Sequence, residues 1–110
     1  YHDAYYNKAL KVRDMITEEL KSIFKEVDAI ITPTVPFPAF KLGEKMDDPM
    51  AMYMCDIFSA PANLAGIPAI SIPGGMTKDG LPLGLQITAP YFREDILFAI
   101  GKDFENTVKN

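Results

Sequence analysis

The protein is a chain of 110 residues, of which 48% are hydrophobic and 24% are charged. This composition is typical of a folded globular unit and excludes disorder, collagen-like repeats and coiled coils, and the length suffices for one domain or part of one. A net charge of −4 and a pI near 4.8 give no basic surface to neutralise phosphates, so we expect no direct binding of nucleic acid by this chain.

The single cysteine, Cys55, permits no disulfide within the chain and no thiolate cluster for zinc or an iron–sulfur centre. The apolar stretches are far shorter than the roughly 20 residues that cross a bilayer. The first residues do not combine a basic segment with an apolar one, as a signal peptide does. We therefore expect a cytoplasmic protein with no metal, cofactor or membrane anchor in this chain.

Two elements are predicted in the first third of the chain. Apolar residues recur every three or four positions from residue 4 to about residue 25, which predicts an amphipathic helix with Asp3 as its N-cap. A β-branched run over residues 27–32 then predicts a buried strand, which Pro33 stops because proline donates no backbone hydrogen bond.

The middle of the chain predicts two short helices that meet at a corner. Asp48 and Pro49 form a cap and a first helical residue, and this helix should extend to about residue 57. Pro61 cannot continue it, so we expect Ser59 to cap a new helix that Gly66 closes. The region from residue 56 to residue 59 then forms the corner.

The last third predicts two strands and a helix. Residues 69–73 and 83–87 form an antiparallel pair around a glycine-containing turn over residues 74–80, and residues 93–108 form the final helix. The connection between the first strand and the strand over residues 69–72 is helical, which implies that these two strands pair in parallel. The predicted fold is therefore α/β, with a small mixed β-sheet flanked by helices, and residues 1–110 form a single unit of a larger fold.

Most candidate reactive groups have a structural explanation. His2 has no second histidine or cysteine nearby with which to share a metal, and we assign it no role. Ser71 lacks both a G-x-S-x-G elbow and a histidine base, which favours a structural serine. Met46, Met50, Met52 and Met54 offer a pliable surface, but packing in a core is favoured because Met50 and Met54 share a helical face. Cys55 has no adjacent activating cation, which favours a buried, inert thiol.

Asp56 is the exception. An ionised carboxylate close to a proline-forced break is neither a good helix former nor cheap to bury without a partner. From spacing alone, a cap or a solvated corner is favoured over ligand binding.

Several sequence motifs resemble the C-terminal quarter of the amidase-signature family. They are Asp3-Ala4-Tyr5-Tyr6, Ile31-Thr32-Pro33-Thr34, Asp48-Pro49, Met52-Tyr53-Met54-Cys55-Asp56-Ile57-Phe58, Asn63-Leu64-Ala65-Gly66-Ile67-Pro68-Ala69-Ile70-Ser71 and Leu81-Pro82-Leu83-Gly84-Leu85-Gln86-Ile87. The first, third and fourth motifs resemble the branch of the family that serves the tRNA-dependent amidotransferases as their A subunit. This resemblance implies the larger α/β fold of the family, with a catalytic lysine and two serines in an upstream Gly/Ser-rich signature. No such run occurs in this sequence, so none of the three maps onto it.

The resemblance also implies a function and partners. Such an A subunit hydrolyses glutamine, and a B subunit uses the ammonia, ATP and magnesium to convert Glu-tRNA(Gln) or Asp-tRNA(Asn) to the amide. A small C subunit holds the pair together. By the same resemblance, Asp56 recognises the α-ammonium group of glutamine, which reverses the interpretation from spacing. A stand-alone amidase and a non-catalytic interaction module remain as alternatives.

Overall fold

The computed structural model describes residues 2–44 and 47–108 and, at residue 2, the backbone alone. Met46 and the side chain of His2 therefore lie outside the described part. The elements are α1 His2–Ile23, β1 Ile30–Pro33, α2 Pro49–Met54, α3 Ala60–Ala65, β2 Ala69–Met76, β3 Pro82–Thr88 and α4 Glu94–Val108. The α/β class is confirmed. Within these residues, no helix is both long and apolar enough to span a membrane.

The three strands form one sheet in the order β1-β3-β2, and both pairings are antiparallel. Ile87 of β3 lies between Ile31 and Ile70, opposite both of them. The prediction of a mixed sheet was wrong. The first two strands do run in the same direction, as the helical connection requires, but the third strand folds back between them. The central position suits β3 because its residues 86–88 are buried.

The β2–β3 hairpin is confirmed, but its turn lies later than predicted. Gly74 and Gly75 belong to β2, where the register shifts by one residue and forms a bulge. The chain reverses over residues 77–81, where the Thr77 N–H donates to the Leu81 carbonyl at 2.8 Å and the Thr77 hydroxyl accepts from the Leu81 N–H at 3.0 Å. Gly80 has a φ of 86°, which explains the glycine there.

Helix α4 packs across β2 and β3 and forms the core with them. Ile72, Ile87, Ala89 and Leu97 are its buried members. Burying a side chain of the size of Ile87 or Leu97 stabilises a fold by about 1.5–3 kcal/mol. The helix approaches closely at Gly101, where an added Cβ would lie 3.2 Å from Ile70 Cδ1.

The start of α4 carries one exposed ion pair. Arg93, the predicted first residue, lies just before the helix, and its guanidinium donates to both carboxylate oxygens of Asp95 at 3.0 and 3.2 Å. The Arg93 hydrogen bond holds the pKa of Asp95 below its usual range. Because both side chains are exposed, the pair adds little to stability.

Helix α1 already includes residue 2, whereas a cap at Asp3 would start the helix at residue 4. His2 is already helical, so Asp3 lies in the first turn and not at the N-cap. A carboxylate in the first turn still interacts favourably with the helix dipole. The apolar stripe of α1 is only partly covered, because Val12 is exposed.

Strand β1 lies at the edge of the sheet and was wrongly predicted to be buried. Ile31 is 54% exposed, since α4 covers β2 and β3 but not β1. An open groove of about 680 Å³ runs beside it and is lined by apolar side chains, among them Val35, Phe37 and Leu83. One face of β1 therefore lacks a covering layer within the described residues.

Candidate functional site

The candidate site is the corner, which was predicted at residues 56–59 and in the structure comprises residues 55–59 between α2 and α3. Helix α2 ends at Met54, about three residues earlier than predicted. From there the N–H groups of Cys55, Asp56 and Ile57 each donate to the carbonyl three residues earlier, at 3.2–3.3 Å. Such bonds tighten the last turn of a helix and end it.

The start of α2 is as predicted. Asp48 has extended backbone angles, and its Oδ1 accepts hydrogen bonds from the N–H groups of Met50 at 3.1 Å and Ala51 at 3.2 Å. Pro49 follows as the first helical residue, where its missing N–H would have no partner. The chain therefore enters the corner from a capped helix.

The start of α3 is only partly as predicted. Ser59 occupies the N-cap position and Pro61 lies in the first turn, but Ser59 has helical backbone angles. Its hydroxyl therefore does not cap the helix and instead donates back to the Asp56 carbonyl at 3.3 Å. At the other end, Gly66 closes the helix with a φ of 73°, as predicted.

Asp56 lies in this corner with its main chain fixed and its side chain exposed. Its carbonyl accepts from the N–H groups of Ser59 at 3.1 Å and Ala60 at 2.9 Å. Across residues 2–44 and 47–108, its carboxylate forms neither a hydrogen bond nor an ion pair. A cap is therefore excluded, and the carboxylate is presented outward from a fixed backbone.

Gln86 ties the corner to the sheet. Its side chain is 6% exposed, and Nε2 donates to the Phe58 carbonyl at 2.7 Å and to the Thr32 hydroxyl at 3.1 Å. Gln86 was not among the site residues predicted from the sequence. One signal was available, because a glutamine inside the predicted strand over residues 83–87 would be buried. A buried polar side chain requires hydrogen-bond partners.

A cavity of about 220 Å³ lies between the corner and the sheet. Ile57, Phe58, Thr32 and Gln86 contribute to its lining, together with residues of α1 and α3. Asp56 does not line this cavity, so its carboxylate belongs to a different surface of the corner.

Two further hydrogen bonds hold the far end of α3. Arg13 of α1 donates from Nε to the Leu64 carbonyl at 2.7 Å, and the Tyr91 hydroxyl donates to the Ala65 carbonyl. Both carbonyls lie in the last turn of the helix, where no intrahelical N–H reaches them. Helix α3 is thereby held at its C-terminal end by α1 and by the segment before α4.

The hydroxyl of Ser71 takes part in a structural contact. Its Oγ lies 2.6 Å from Thr34 Oγ1, and this hydrogen bond passes over Gly84 of the central strand. A Cβ at Gly84 would lie only 2.7 Å from Thr34 Oγ1, so this position requires glycine. The geometry agrees with a structural serine.

The methionines and Cys55 differ in part from the predictions. Met50 is 68% exposed and Met54 is half-buried, so packing of both on one covered face was wrong for this chain. Cys55 is only half-buried, and its thiol donates to the Ala51 carbonyl at 3.6 Å. No three His, Cys, Asp or Glu side chains in the described ranges come together to hold a metal.

Comparison with known proteins gave consistent matches. The family model described as Amidase matches residues 1–98. The A subunit of glutamyl-tRNA(Gln) amidotransferase from Clostridium botulinum is 56% identical over 108 residues, which is 98% of this chain and 22% of that protein. The chain therefore spans about a fifth of the length of the curated relatives that it matches.

Solved structures of related proteins also match this chain. The A subunit of glutamyl-tRNA(Gln) amidotransferase from Thermotoga maritima superposes with a TM-score of 0.78 and 50% identity, covering 84% of this chain and 20% of that one. The 6-aminohexanoate cyclic dimer hydrolase gives a TM-score of 0.76 and 29% identity, covering 96% and 24%.

Proposed function

This chain belongs to the amidase family, and we propose that it is the C-terminal part of the glutamine-hydrolysing A subunit of a tRNA-dependent amidotransferase. The observation that carries this proposal is the 56% identity to such a protein over 98% of the chain. The whole protein would release ammonia from glutamine, and the ammonia would convert Glu-tRNA(Gln) or Asp-tRNA(Asn) to Gln-tRNA(Gln) or Asn-tRNA(Asn).

Within that protein, this chain would contribute one wall of the glutamine site. We assign the bond-breaking lysine and serines to the remainder of the protein, because this sequence contains no Gly/Ser-rich run that could supply them. The chain by itself would then be catalytically inactive.

Asp56 would recognise the substrate. Its carboxylate is exposed and unpaired among the described residues, whereas its main chain is fixed by hydrogen bonds from Ser59 and Ala60. A carboxylate that projects from a fixed main chain offers a charge-assisted hydrogen bond to the α-ammonium group of glutamine, typically about 1.5–3 kcal/mol. Such a bond would favour a free amino acid over a plain amide.

The partners follow from the same proposal. A B subunit would bind tRNA, ATP and magnesium, and a C subunit would hold the A and B subunits together. The acidic chain suits this division, since a net charge of −4 offers no extended phosphate-binding surface. A cytoplasmic location fits an enzyme that acts on aminoacyl-tRNA.

The test is a nitrogen-donor assay on the full-length protein. Purified with its B and C subunits, it should form Gln-tRNA(Gln) or Asn-tRNA(Asn) with glutamine as donor, and omission of the B subunit should abolish that product. Failure of the complete complex to use glutamine would refute the proposal.

A stand-alone amidase is the second candidate, and the 29% identity to a cyclic dimer hydrolase favours it. The higher identity to the amidotransferase proteins places it second. Hydrolysis of plain amides by the full-length protein alone, at rates above those with glutamine, would select it. Absence of both activities, together with stable binding to the B and C subunits, would instead indicate a non-catalytic interaction module.

A further inference from the structure

We infer that Gln86 is a positioning residue for Asp56, because its side-chain amide fixes the corner relative to the sheet. The inference rests on the proposed binding of glutamine by Asp56. The Asp56 carboxylate is exposed, so its position depends on how firmly its main chain is held.

The amide of Gln86 is fully used as a donor. A primary amide carries two N–H hydrogens in one plane, and here Nε2 has two acceptors within hydrogen-bonding distance, the Thr32 hydroxyl at 3.1 Å and the Phe58 carbonyl at 2.7 Å. The bond to Thr32 of β1 fixes the rotation of the amide. The second hydrogen is thereby aimed at the corner.

The corner transmits this constraint to Asp56. The Asp56 carbonyl accepts from the N–H groups of Ser59 and Ala60 and from the Ser59 hydroxyl, at 2.9–3.3 Å. This short turn encloses Phe58, so a shift of Phe58 would be passed on to Asp56 through these bonds. Within the described ranges, the bond from Gln86 is the one hydrogen bond that joins residues 55–59 to anything beyond α2 and α3.

Packing alone constrains the corner weakly. The cavity of about 220 Å³ lies between it and the sheet, and Ile57 is 46% exposed. A corner with open space behind it can shift without a steric clash when its hydrogen bond is lost. Misplacement of a substrate-binding group by about 1 Å costs up to roughly 100-fold in rate, and we expect about 10-fold here because α2 and α3 remain attached.

The test uses the full-length protein assembled with its B and C subunits. Gln86→Met keeps the length of the side chain and removes both donors; the expected result is a rise of about 10-fold in the KM for glutamine, with kcat changed by less than about twofold. Amidation with free ammonia should be unchanged. Ser71→Ala is the matched control, since it removes the Thr34–Ser71 hydrogen bond on the same sheet without touching the corner, and it should leave this KM unchanged.

A double-mutant cycle separates this inference from the proposed function. If Gln86 acts through Asp56, then Gln86→Met should add less than about twofold to the KM of Asp56→Ala. A normal KM in Asp56→Ala would overturn the proposed role of Asp56 and this inference with it. A raised KM in Asp56→Ala with a normal KM in Gln86→Met, or with fully additive effects, would overturn the inference alone.

If Gln86→Met does not fold, Thr32→Val removes the orienting partner, and it should raise the KM for glutamine about threefold on the same argument; an unchanged KM would overturn the inference.

Discussion

Removal of the Asp56 carboxylate is the most direct perturbation of the proposed site. Because this side chain is exposed and makes no hydrogen bond or ion pair within the described residues, Asp56→Ala removes no polar contact from the described part of the fold. Surface substitutions of this kind change the free energy of unfolding by about 0.5 kcal/mol or less. Any large effect on activity would therefore arise from lost contact with the substrate.

The expected magnitude follows from the type of bond. A charge-assisted hydrogen bond of about 1.5–3 kcal/mol corresponds to a decrease of about 10- to 150-fold in kcat/KM for glutamine. Free ammonia carries no α-ammonium group to recognise. Amidation of aminoacyl-tRNA with ammonia should consequently remain close to that of the unaltered complex.

The assay compares kcat/KM for glutamine with the rate of amidation from ammonia, in the full-length protein with its partner subunits. Asp79→Ala is a suitable control, since Asp79 is also exposed and lies in the distant β2–β3 turn. It removes the same charge and should change neither rate. An equal loss with both nitrogen donors in Asp56→Ala would refute substrate recognition and indicate a disturbed fold or assembly.

Three further predictions concern stability and the isolated chain. Gly84→Ala would press a Cβ to within 2.7 Å of Thr34 Oγ1, so the free energy of unfolding of the full-length protein should fall by about 1–3 kcal/mol in a denaturant titration; an unchanged midpoint would contradict this. Asp48→Ala removes the cap of α2 and should cost about 0.5–2 kcal/mol in the same titration, whereas Asp48→Asn should retain most of that stability. The 110-residue chain alone should release no ammonia from glutamine above background, and measurable turnover would show that it contains a complete catalytic centre.

Local signals in the sequence predicted the elements well. The cap at Asp48 and the left-handed Gly66 were both foreseen, because each depends on a residue and its immediate neighbours. The hairpin was foreseen for the same reason. The cap predicted at Ser59 was wrong, because the Ser59 hydroxyl donates to the Asp56 carbonyl three residues earlier. Whether a serine at this position caps the helix depends on its backbone angles, which the local sequence does not specify.

The arrangement of these elements was harder to predict. Strand order depends on contacts between strands that are distant in the sequence, and the position of β3 between β1 and β2 was not predicted. The exposure of Ile31 also follows from position and not from hydrophobicity. For the site, Asp56 was singled out by its sequence context, but the bond from Gln86 to Phe58 joins residues 28 positions apart, and no spacing rule connects them.

The central strand has a consequence for protein engineering. Gln86 faces the corner, whereas its neighbour Ile87 is fully buried in the core under α4. A one-residue slip of a strand exchanges its two faces, so an insertion or deletion in β3 would move an amide into the core and an isoleucine toward the corner. Libraries intended to broaden the substrate range should therefore vary the exposed positions of residues 55–59 and leave the length of β3 unchanged.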